Sequence, residues 1–181
     1  SKALTKSFSD FEKKSPATVS TNYQIASVTK LFTSIALMQL VERKKIFLDT
    51  PVVEIIPELR AIKTNGYAIE EINIKSILTH TTGLPTNPNF LLDKRGQNSA
   101  LAVDEFLKGL AQQSLLFPPN RIHKYSNLAM NLGGLVVERI SGLTYEQYIQ
   151  EVILTPLQMQ STLFPKISKN TVIGYSRIVG E

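Results

Sequence analysis

The sequence predicts a mostly α-helical chain whose strand signals are confined to its two ends. Helices are predicted where apolar residues recur three and four positions apart, because that spacing places them on one face. Such patterns cover residues 27–44, 102–113, 128–140 and 145–153, and strand signals cover residues 8–11 and 172–179. With 181 residues, the chain is long enough for one domain, or for one domain and a piece of another.

The first predicted helix carries no charge from Leu31 to Val41, which predicts a buried helix. The next segment, residues 50–59, contains Pro51 and Pro57 and is predicted to be a loop with a short turn. A short helix is predicted over residues 74–80, closed by a turn at Gly83.

The later helices have clear boundary signals. The helix over residues 128–140 is predicted to end at Ser141-Gly142. Thr144 and Gln147 have the spacing of a capping box, which predicts that the last helix begins at Tyr145 and stops before Pro156.

Composition excludes several classes of function. The apolar fraction of 43% is typical of a globular chain, and the run over residues 31–41 is too short to cross a bilayer, so no transmembrane segment is predicted. The absence of cysteine excludes disulfides and thiolate metal sites. Although the net charge is +5, the basic residues are scattered and no nucleic-acid motif is present, so no nucleic-acid partner is predicted.

Neither histidine is predicted to bind a metal. A zinc site needs at least three protein ligands, and neither His80 nor His123 has a histidine or carboxylate partner at helical spacing. We interpret His80 as closing a helix at a turn, where its side chain can hydrogen-bond the last carbonyls. No phosphate loop or dinucleotide fingerprint is present, so no metal and no cofactor are predicted.

Ser27 and Lys30 form the only Ser-x-x-Lys pattern in the chain. Residues three positions apart share a helix face, so the amine can reach the hydroxyl. A lysine among apolar neighbours at a helix N-terminus is disfavoured in its charged form, and the neutral amine is a usable base. The pair is therefore a candidate nucleophile and its activator. The alternative is a helix-capping serine with a solvated lysine, since about one chance match is expected in a chain of this length.

A second candidate motif, Tyr125-Ser126-Asn127, directly precedes an apolar helical pattern. A tyrosine whose pKa is lowered by a lysine can take a proton from a serine and return it to a leaving group. The Asn127 amide offers both a donor and an acceptor to a substrate. The alternative is that Asn127 caps the helix and that Tyr125 only packs.

Taken together, the motifs resemble those of the serine β-lactamase and penicillin-binding-protein superfamily. The resemblance is to the branch of class C β-lactamases, DD-carboxypeptidases, D-aminopeptidases and related esterases. Five landmarks appear in the expected order, at residues 23–30, 48–52, 77–85, 125–127 and 154–159. The resemblance implies an α/β fold of the β-lactamase/transpeptidase type, in which a helical domain accompanies an antiparallel sheet.

One element of that family is missing from the sequence. No Lys/His-x-Gly follows Tyr125, and we interpret the Lys94-Arg95-Gly96 match, which precedes it, as a solvated loop. We therefore expect a fragment of a larger protein, with an incomplete sheet. Residues 1–26 are interpreted as the end of a strand region, residues 27–165 as a mostly helical domain with both motifs, and residues 166–181 as the start of a return to the sheet.

The resemblance implies acyl transfer through an acyl-enzyme on an ester, a D-amino-acid peptide or a β-lactam. Ser27 is the implied nucleophile, Lys30 and Tyr125 handle its proton, and Asn127 binds substrate. The Ser27 backbone N–H is the implied oxyanion donor, and a second donor comes from the missing strand. The other hypothesis is a catalytically silent binding or scaffold homologue. A bacterial periplasmic or extracytoplasmic location, with association to the cell envelope, follows from the resemblance alone, and the oligomeric state is left open.

Overall fold

A computed structural model describes residues 8–10, 14–18, 20–88, 99–162 and 164 of the chain. Helices dominate this part, as the sequence predicts. They are α1 (Thr29–Glu42), α2 (Val52–Ile55), α3 (Ile74–Leu78), α4 (Ser99–Gly109), α5 (Asn127–Ser141) and α6 (Tyr145–Tyr148). Short 3-10 helices span Ala26–Val28, Pro57–Ala61, Ile69–Glu71 and Leu110–Gln112, and a π-helix spans Ile149–Leu154.

Two short strands pair near the start of the chain. Strand β1 (Phe8–Asp10) lies antiparallel to β2 (Ser15–Pro16), with Phe8 opposite Pro16. The strand predicted over residues 172–179, the loop with Lys94 to Gly96 and the segment 166–181 lie outside the described residues. The larger antiparallel sheet of the expected fold therefore stays a prediction.

Helices α1 and α5 pack against each other and form the centre of the core. Both carry fully buried apolar side chains, among them Leu37, Leu132 and Val136. Gly133 of α5 sits at the contact, where an added Cβ would lie 3.2 Å from Ile77 and 3.3 Å from Leu37. The absence of a side chain lets the two helices approach closely. This packing brings the N-terminal end of α1 near the residues that lead into α5.

The prediction of a buried helix at α1 is correct for one side of the helix only. Thr33, Ala36, Leu37 and Leu40 are buried, whereas Leu31 is 58% exposed and Met38 is 44% exposed. Burial is decided by the neighbours that pack against a helix, and here α5 and the π-helix contact one side of α1. The uncharged sequence could not distinguish a covered side from an uncovered one.

The segment predicted to be a loop over residues 50–59 is instead largely helical. It contains α2 and the first residues of the 3-10 helix Pro57–Ala61, which begins with a proline. Proline is tolerated at the first helical position, because its missing N–H has no helical partner there. The apolar side chains of Val52, Ile56 and Leu59 are fully buried, which stabilises the two short helices against the core.

The predicted boundaries of the later helices are close to those observed. Helix α5 ends at Ser141, followed by Gly142 in a left-handed conformation with φ of 74°. Thr144 and Gln147 form the predicted capping box at the start of α6. The helix continues beyond Tyr148 with π-type hydrogen bonding, a change that the sequence pattern did not indicate. Among the described residues, no helix is long and apolar enough to cross a membrane.

Candidate active site

Ser27 lies in a tight turn rather than in the α-helix predicted for it. The 3-10 helix Ala26–Val28 precedes α1, and Ala26 has a positive φ of 43°. A residue other than glycine with positive φ is uncommon and costs free energy, so it marks a point where the chain is held in a strained conformation. The turn leaves Ser27 exposed, in contrast to the buried face of α1.

The structure brings Ser27, Lys30 and Tyr125 together. The Ser27 Oγ lies 2.9 Å from the Tyr125 Oη, and the Lys30 Nζ donates a hydrogen bond of 3.2 Å to the Ser27 Oγ. The Lys30 Nζ also lies 5.0 Å from the centre of the Tyr125 ring. The serine hydroxyl thus has an amine on one side and a phenol on the other. Their catalytic roles stay a prediction.

The surroundings of Tyr125 favour its ionised form. The neighbouring Lys30 side chain lowers the pKa of the Tyr125 phenol below its usual value, and the hydrogen bond with Ser27 lowers it further. A cation beside a phenol stabilises the phenolate, which is the form that accepts a proton. Tyr125 is 39% exposed, so the phenol is accessible from solvent.

Ser126 anchors the segment that carries Tyr125. It is fully buried, its Oγ donates to the Pro85 carbonyl over 2.7 Å, and the same Oγ accepts from the Ala129 N–H over 3.0 Å. The second bond makes Ser126, and not Asn127, the N-cap of α5. The alternative reading of Asn127 as the cap is therefore wrong. The sequence signal for Ser126 was available, because serine is a preferred N-cap residue.

Asn127 is the first residue of α5 and is half-buried. Its Nδ2 donates to the Asn87 Oδ1 over 2.6 Å, and its backbone N–H donates to the Thr86 carbonyl over 2.7 Å. The side chain is thus oriented by the loop that follows α3. Asn87 was not identified from the sequence, although it lies two residues beyond the landmark at residues 77–85.

His80 has a different role from the one predicted. Its Nδ1 accepts a hydrogen bond of 3.2 Å from the Ser126 N–H, so the side chain does not merely close the preceding helix. The centres of the His80 and Tyr125 rings lie 4.7 Å apart, with a tilt of 38° between the planes. Burial lowers the pKa of His80, and the neighbouring His123 and Lys30 lower it further. No spacing rule could have linked His80 to a residue 46 positions later.

Two cavities lie near the turn that carries Ser27. One, of about 720 Å³, is lined by residues 20–26, by Phe32 and by the segment around Thr162. The other, of about 390 Å³, is a groove between α1, α4 and α5, and Lys30 lies at its wall with Phe106 and Met130. Within the described ranges, no group of three or more histidine, aspartate or glutamate side chains could hold a metal ion.

Comparison with known proteins identifies the family of this chain. A model of the Beta-lactamase family matches residues 2–169. The chain belongs to the Beta-lactamase family. The resemblance inferred from the five sequence landmarks is therefore confirmed, and so is the β-lactamase/transpeptidase type of fold.

Protein flp and an esterase are among the proteins to which this Beta-lactamase family member is similar. The chain is 32% identical over 171 residues to Protein flp of Staphylococcus aureus strain MW2, covering 93% of this chain and 34% of that protein. It is 32% identical over 164 residues to Esterase EstB of Burkholderia gladioli, covering 86% of this chain and 41% of that protein.

Among solved structures, a penicillin-binding protein from Bacillus halodurans superimposes with a TM-score of 0.75 at 28% identity, covering 93% of this chain and 51% of that one. The chain therefore spans about a third of the length of Protein flp and about half of the penicillin-binding protein.

Proposed function

We propose that the protein is a serine hydrolase that forms an acyl-enzyme on Ser27. The observation that carries this proposal is the position of the Ser27 Oγ, within hydrogen-bonding distance of both the Lys30 Nζ and the Tyr125 Oη. A nucleophile, a proton acceptor and a cation that stabilises the acceptor's charged form are the components of nucleophilic acyl transfer. Membership of the Beta-lactamase family and the similarity to an esterase support the same class of reaction.

In the proposed reaction the Ser27 Oγ attacks the carbonyl carbon of the substrate while its proton passes to the Tyr125 phenolate. The negative charge on the carbonyl oxygen is stabilised by the backbone N–H of Ser27. The C–O or C–N bond to the leaving group then breaks, and the leaving group takes the proton from Tyr125. Water hydrolyses the ester on Ser27 by the reverse proton path, which restores the enzyme.

Asn127 is proposed to orient the acyl side chain of the substrate. Its Nδ2 is paired with Asn87, so its carbonyl Oδ1 is the group assigned to bind a substrate N–H. The second oxyanion donor is assigned, by family resemblance, to the strand with the Lys/His-x-Gly motif, which does not occur after Tyr125 in this sequence. We therefore expect residues 1–181 alone to be inactive or nearly so, and the whole protein to be active.

For the substrate, we propose a small ester or a D-amino-acid peptide ahead of a β-lactam with a bulky side chain. The similarity to Esterase EstB supports an ester. The whole protein is expected to hydrolyse short-chain p-nitrophenyl esters and to turn over β-lactams slowly. A kcat/KM for nitrocefin that exceeds the ester value by orders of magnitude would reverse this order.

Covalent labelling of the whole protein tests the proposal. A fluorophosphonate or a fluorescent penicillin should attach to the wild type and not to Ser27→Ala. Lys30→Ala should slow labelling by about 10²-fold, because the neighbour that lowers the pKa of the Tyr125 phenol is lost. Ser20→Ala is the matched control, since Ser20 is exposed on the turn before the nucleophile and is assigned no role. Full labelling of Ser27→Ala would identify another nucleophile. A folded wild type that neither probe labels would instead indicate the silent binding homologue.

A further inference from the structure

We propose that His80 is a positioning residue that holds Tyr125 in place for proton transfer with Ser27. The proposal rests on the proposed function, because it assigns to Tyr125 the role of proton acceptor. Among the described residues, the hydrogen bonds of His80 do not include one to Ser27, so we assign it a role through Tyr125 alone.

The first observation is that His80 binds the chain on both sides of Tyr125. The His80 carbonyl oxygen accepts a hydrogen bond of 2.8 Å from the Lys124 N–H, and its Nδ1 accepts one of 3.2 Å from the Ser126 N–H. The residues immediately before and after Tyr125 are thus both fixed to one histidine. Two bonds that flank a residue restrict the rotation of its backbone, and with it the position of its side chain.

The second observation is the contact between the two rings. The His80 ring lies 4.7 Å from the Tyr125 ring, centre to centre, on a phenol that is otherwise 39% exposed. An exposed tyrosine samples several rotamers when nothing packs against it. Here the half-buried His80 ring packs against Tyr125 and restricts those rotamers. The result is a hydroxyl held 2.9 Å from the Ser27 Oγ.

The third observation is the backbone conformation of His80 itself. Its φ is 55°, in the left-handed region, which glycine adopts freely and which asparagine, aspartate and histidine occupy more often than most other residues do. The backbone geometry therefore suits glycine, asparagine, aspartate and histidine better than it suits most other residues. Of these residues, only histidine combines a ring that packs against Tyr125 with a ring nitrogen that accepts from the Ser126 N–H.

The hydrogen bond also fixes the protonation state that positioning requires. Because Nδ1 accepts from Ser126, the ring proton of neutral His80 must be on Nε2. A doubly protonated ring could not accept this bond. The titratable and charged groups that face His80 are His123, Lys30 and Tyr125. Burial first, then the charges of His123 and Lys30, lower the pKa of His80, which keeps the ring neutral to lower pH.

Two variants that suit the backbone separate the side chain's role from the strain. Asparagine and glycine both tolerate positive φ, but only asparagine carries an oxygen near the position of Nδ1. In the whole protein, His80→Gly should lower kcat for a p-nitrophenyl ester by about 10- to 100-fold, while KM stays within about twofold. A loss of this size is typical when a residue that orients a reacting group is removed. His80→Asn should recover the part of this loss that comes from the hydrogen bond with the Ser126 N–H, and its activity should persist to lower pH, because asparagine does not titrate.

Lys44→Gly is the matched control, since Lys44 also has a positive φ, of 56°, is exposed just beyond the C-terminal end of α1 and has no proposed role. It should leave kcat within about twofold. A kcat for His80→Gly equal to that of the wild type would overturn the proposal, and so would a His80→Asn variant as slow as His80→Gly. Neither result would alter the labelling of Ser27, so failure of the positioning role is distinguishable from failure of the proposed function.

A measurement that needs no activity keeps the proposal testable if His80→Gly does not fold. Nitrogen-detected NMR of the histidine side chains in the whole protein should show neutral His80 with its proton on Nε2 at pH 7. The signals of His80 are identified as those that are missing from the spectrum of His80→Asn. A proton on Nδ1, or a doubly protonated ring at that pH, would overturn the proposal.

Discussion

The Tyr125 phenol and the Ser27 hydroxyl lie 2.9 Å apart, although the two residues are separated by 98 positions in the chain. Ser27 is presented by a 3-10 turn before α1, and Tyr125 is presented by the segment that leads into α5. Because α1 and α5 pack against each other, the two ends that carry these residues meet. The candidate site is therefore a product of helix packing, and its geometry leads to specific predictions.

Tyr125→Phe removes the phenolic oxygen while it preserves the ring. We expect the rate of acylation by a fluorophosphonate to fall by about 10²- to 10³-fold in the whole protein, because the proton acceptor is lost. Stopped-flow labelling measures this rate. Tyr23→Phe is the control, since Tyr23 is also exposed and has no proposed role. An unchanged rate in Tyr125→Phe would exclude the phenol from proton transfer.

Tyr125 should ionise at a lower pH than an ordinary tyrosine. Lys30 and Ser27 lower the pKa of Tyr125, whereas burial raises the pKa of Tyr145 and Tyr148. In an ultraviolet titration, the first phenolate to form should therefore be absent from Tyr125→Phe. Lys30→Met should move this first step to higher pH, toward the ordinary value of about 10, because the neighbouring cation is removed. A first step that survives in Tyr125→Phe would contradict the prediction.

Asn87→Ala should affect substrate binding more than nucleophilicity. The Asn127 Nδ2 loses its 2.6 Å partner, so the amide is free to rotate. For a D-amino-acid amide substrate we expect kcat/KM to fall about fivefold, which corresponds to the loss of about 1 kcal/mol from one hydrogen bond. Labelling by a fluorophosphonate, which has no acyl amide to orient, should be nearly unchanged. Equal losses with both reagents would point to a general disturbance of the site.

Gly83→Ala should strongly destabilise the fold. Gly83 has φ of 77°, and a Cβ there would collide with the carbonyl oxygen of Phe117. Gly66→Ala is the matched control, because Gly66 has a similar φ of 85° and nothing within 4 Å of the added atom. We expect the free energy of unfolding to fall by about 1 kcal/mol in Gly66→Ala and by about 2–4 kcal/mol in Gly83→Ala. Denaturant titration measures both free energies of unfolding. Equal losses would show that the turn at residue 83 can shift to make room for the added Cβ.

The ion pair between Arg139 and Glu58 should give a pH-dependent contribution to stability. The pair is bidentate, with distances of 2.7 and 2.9 Å, and Arg139 also donates to the Ile55 carbonyl. The Arg139 guanidinium lowers the pKa of Glu58 below its usual 4.5. A carboxyl whose pKa is lower in the folded state stabilises the fold above the unfolded pKa. That contribution is lost as the pH falls through the folded pKa.

Arg139→Gln should therefore lower the free energy of unfolding by about 0.5–1 kcal/mol at pH 7, a small value because the two side chains are 29% and 40% exposed and solvent screens them. The difference from the wild type should shrink as the pH falls through the lowered pKa of Glu58, because the carboxyl then becomes protonated. Denaturant titrations at pH 7 and pH 3 compare the two proteins. If the two proteins differ in stability by the same amount at pH 3 as at pH 7, the effect comes from the hydrogen bond between Arg139 and the Ile55 carbonyl.

Local signals in the sequence predicted several features correctly. The Thr144 and Gln147 capping box depends on contacts between a helix end and side chains three positions away. The contact between Ser27 and Lys30 is equally local, since Ser27 lies in the 3-10 turn directly before α1 and Lys30 lies in the first turn of α1. The extent of α5 follows from apolar spacing and from the glycine after its end. Such features depend on a few neighbouring residues, so a sequence contains all the information that they require.

Motif order carried information of a different kind. Five landmarks in one order indicated the family, which the match to residues 2–169 confirms. The same motifs indicated that Ser27 and Tyr125 share a site, although no local rule relates them. The sequence thus determined the longer helices, the candidate residues and the family.

Only the tertiary structure decided which neighbours these residues have. It placed Leu31 and Met38 of an uncharged helix at the surface, made Ser126 the cap in place of Asn127, and bound His80 to both sides of Tyr125. Each outcome depends on which distant segments pack together, and that packing is set by the combined burial of many side chains. Periodicity and capping rules describe a segment and its immediate neighbours, so they carry no information about a partner 46 or 98 positions away.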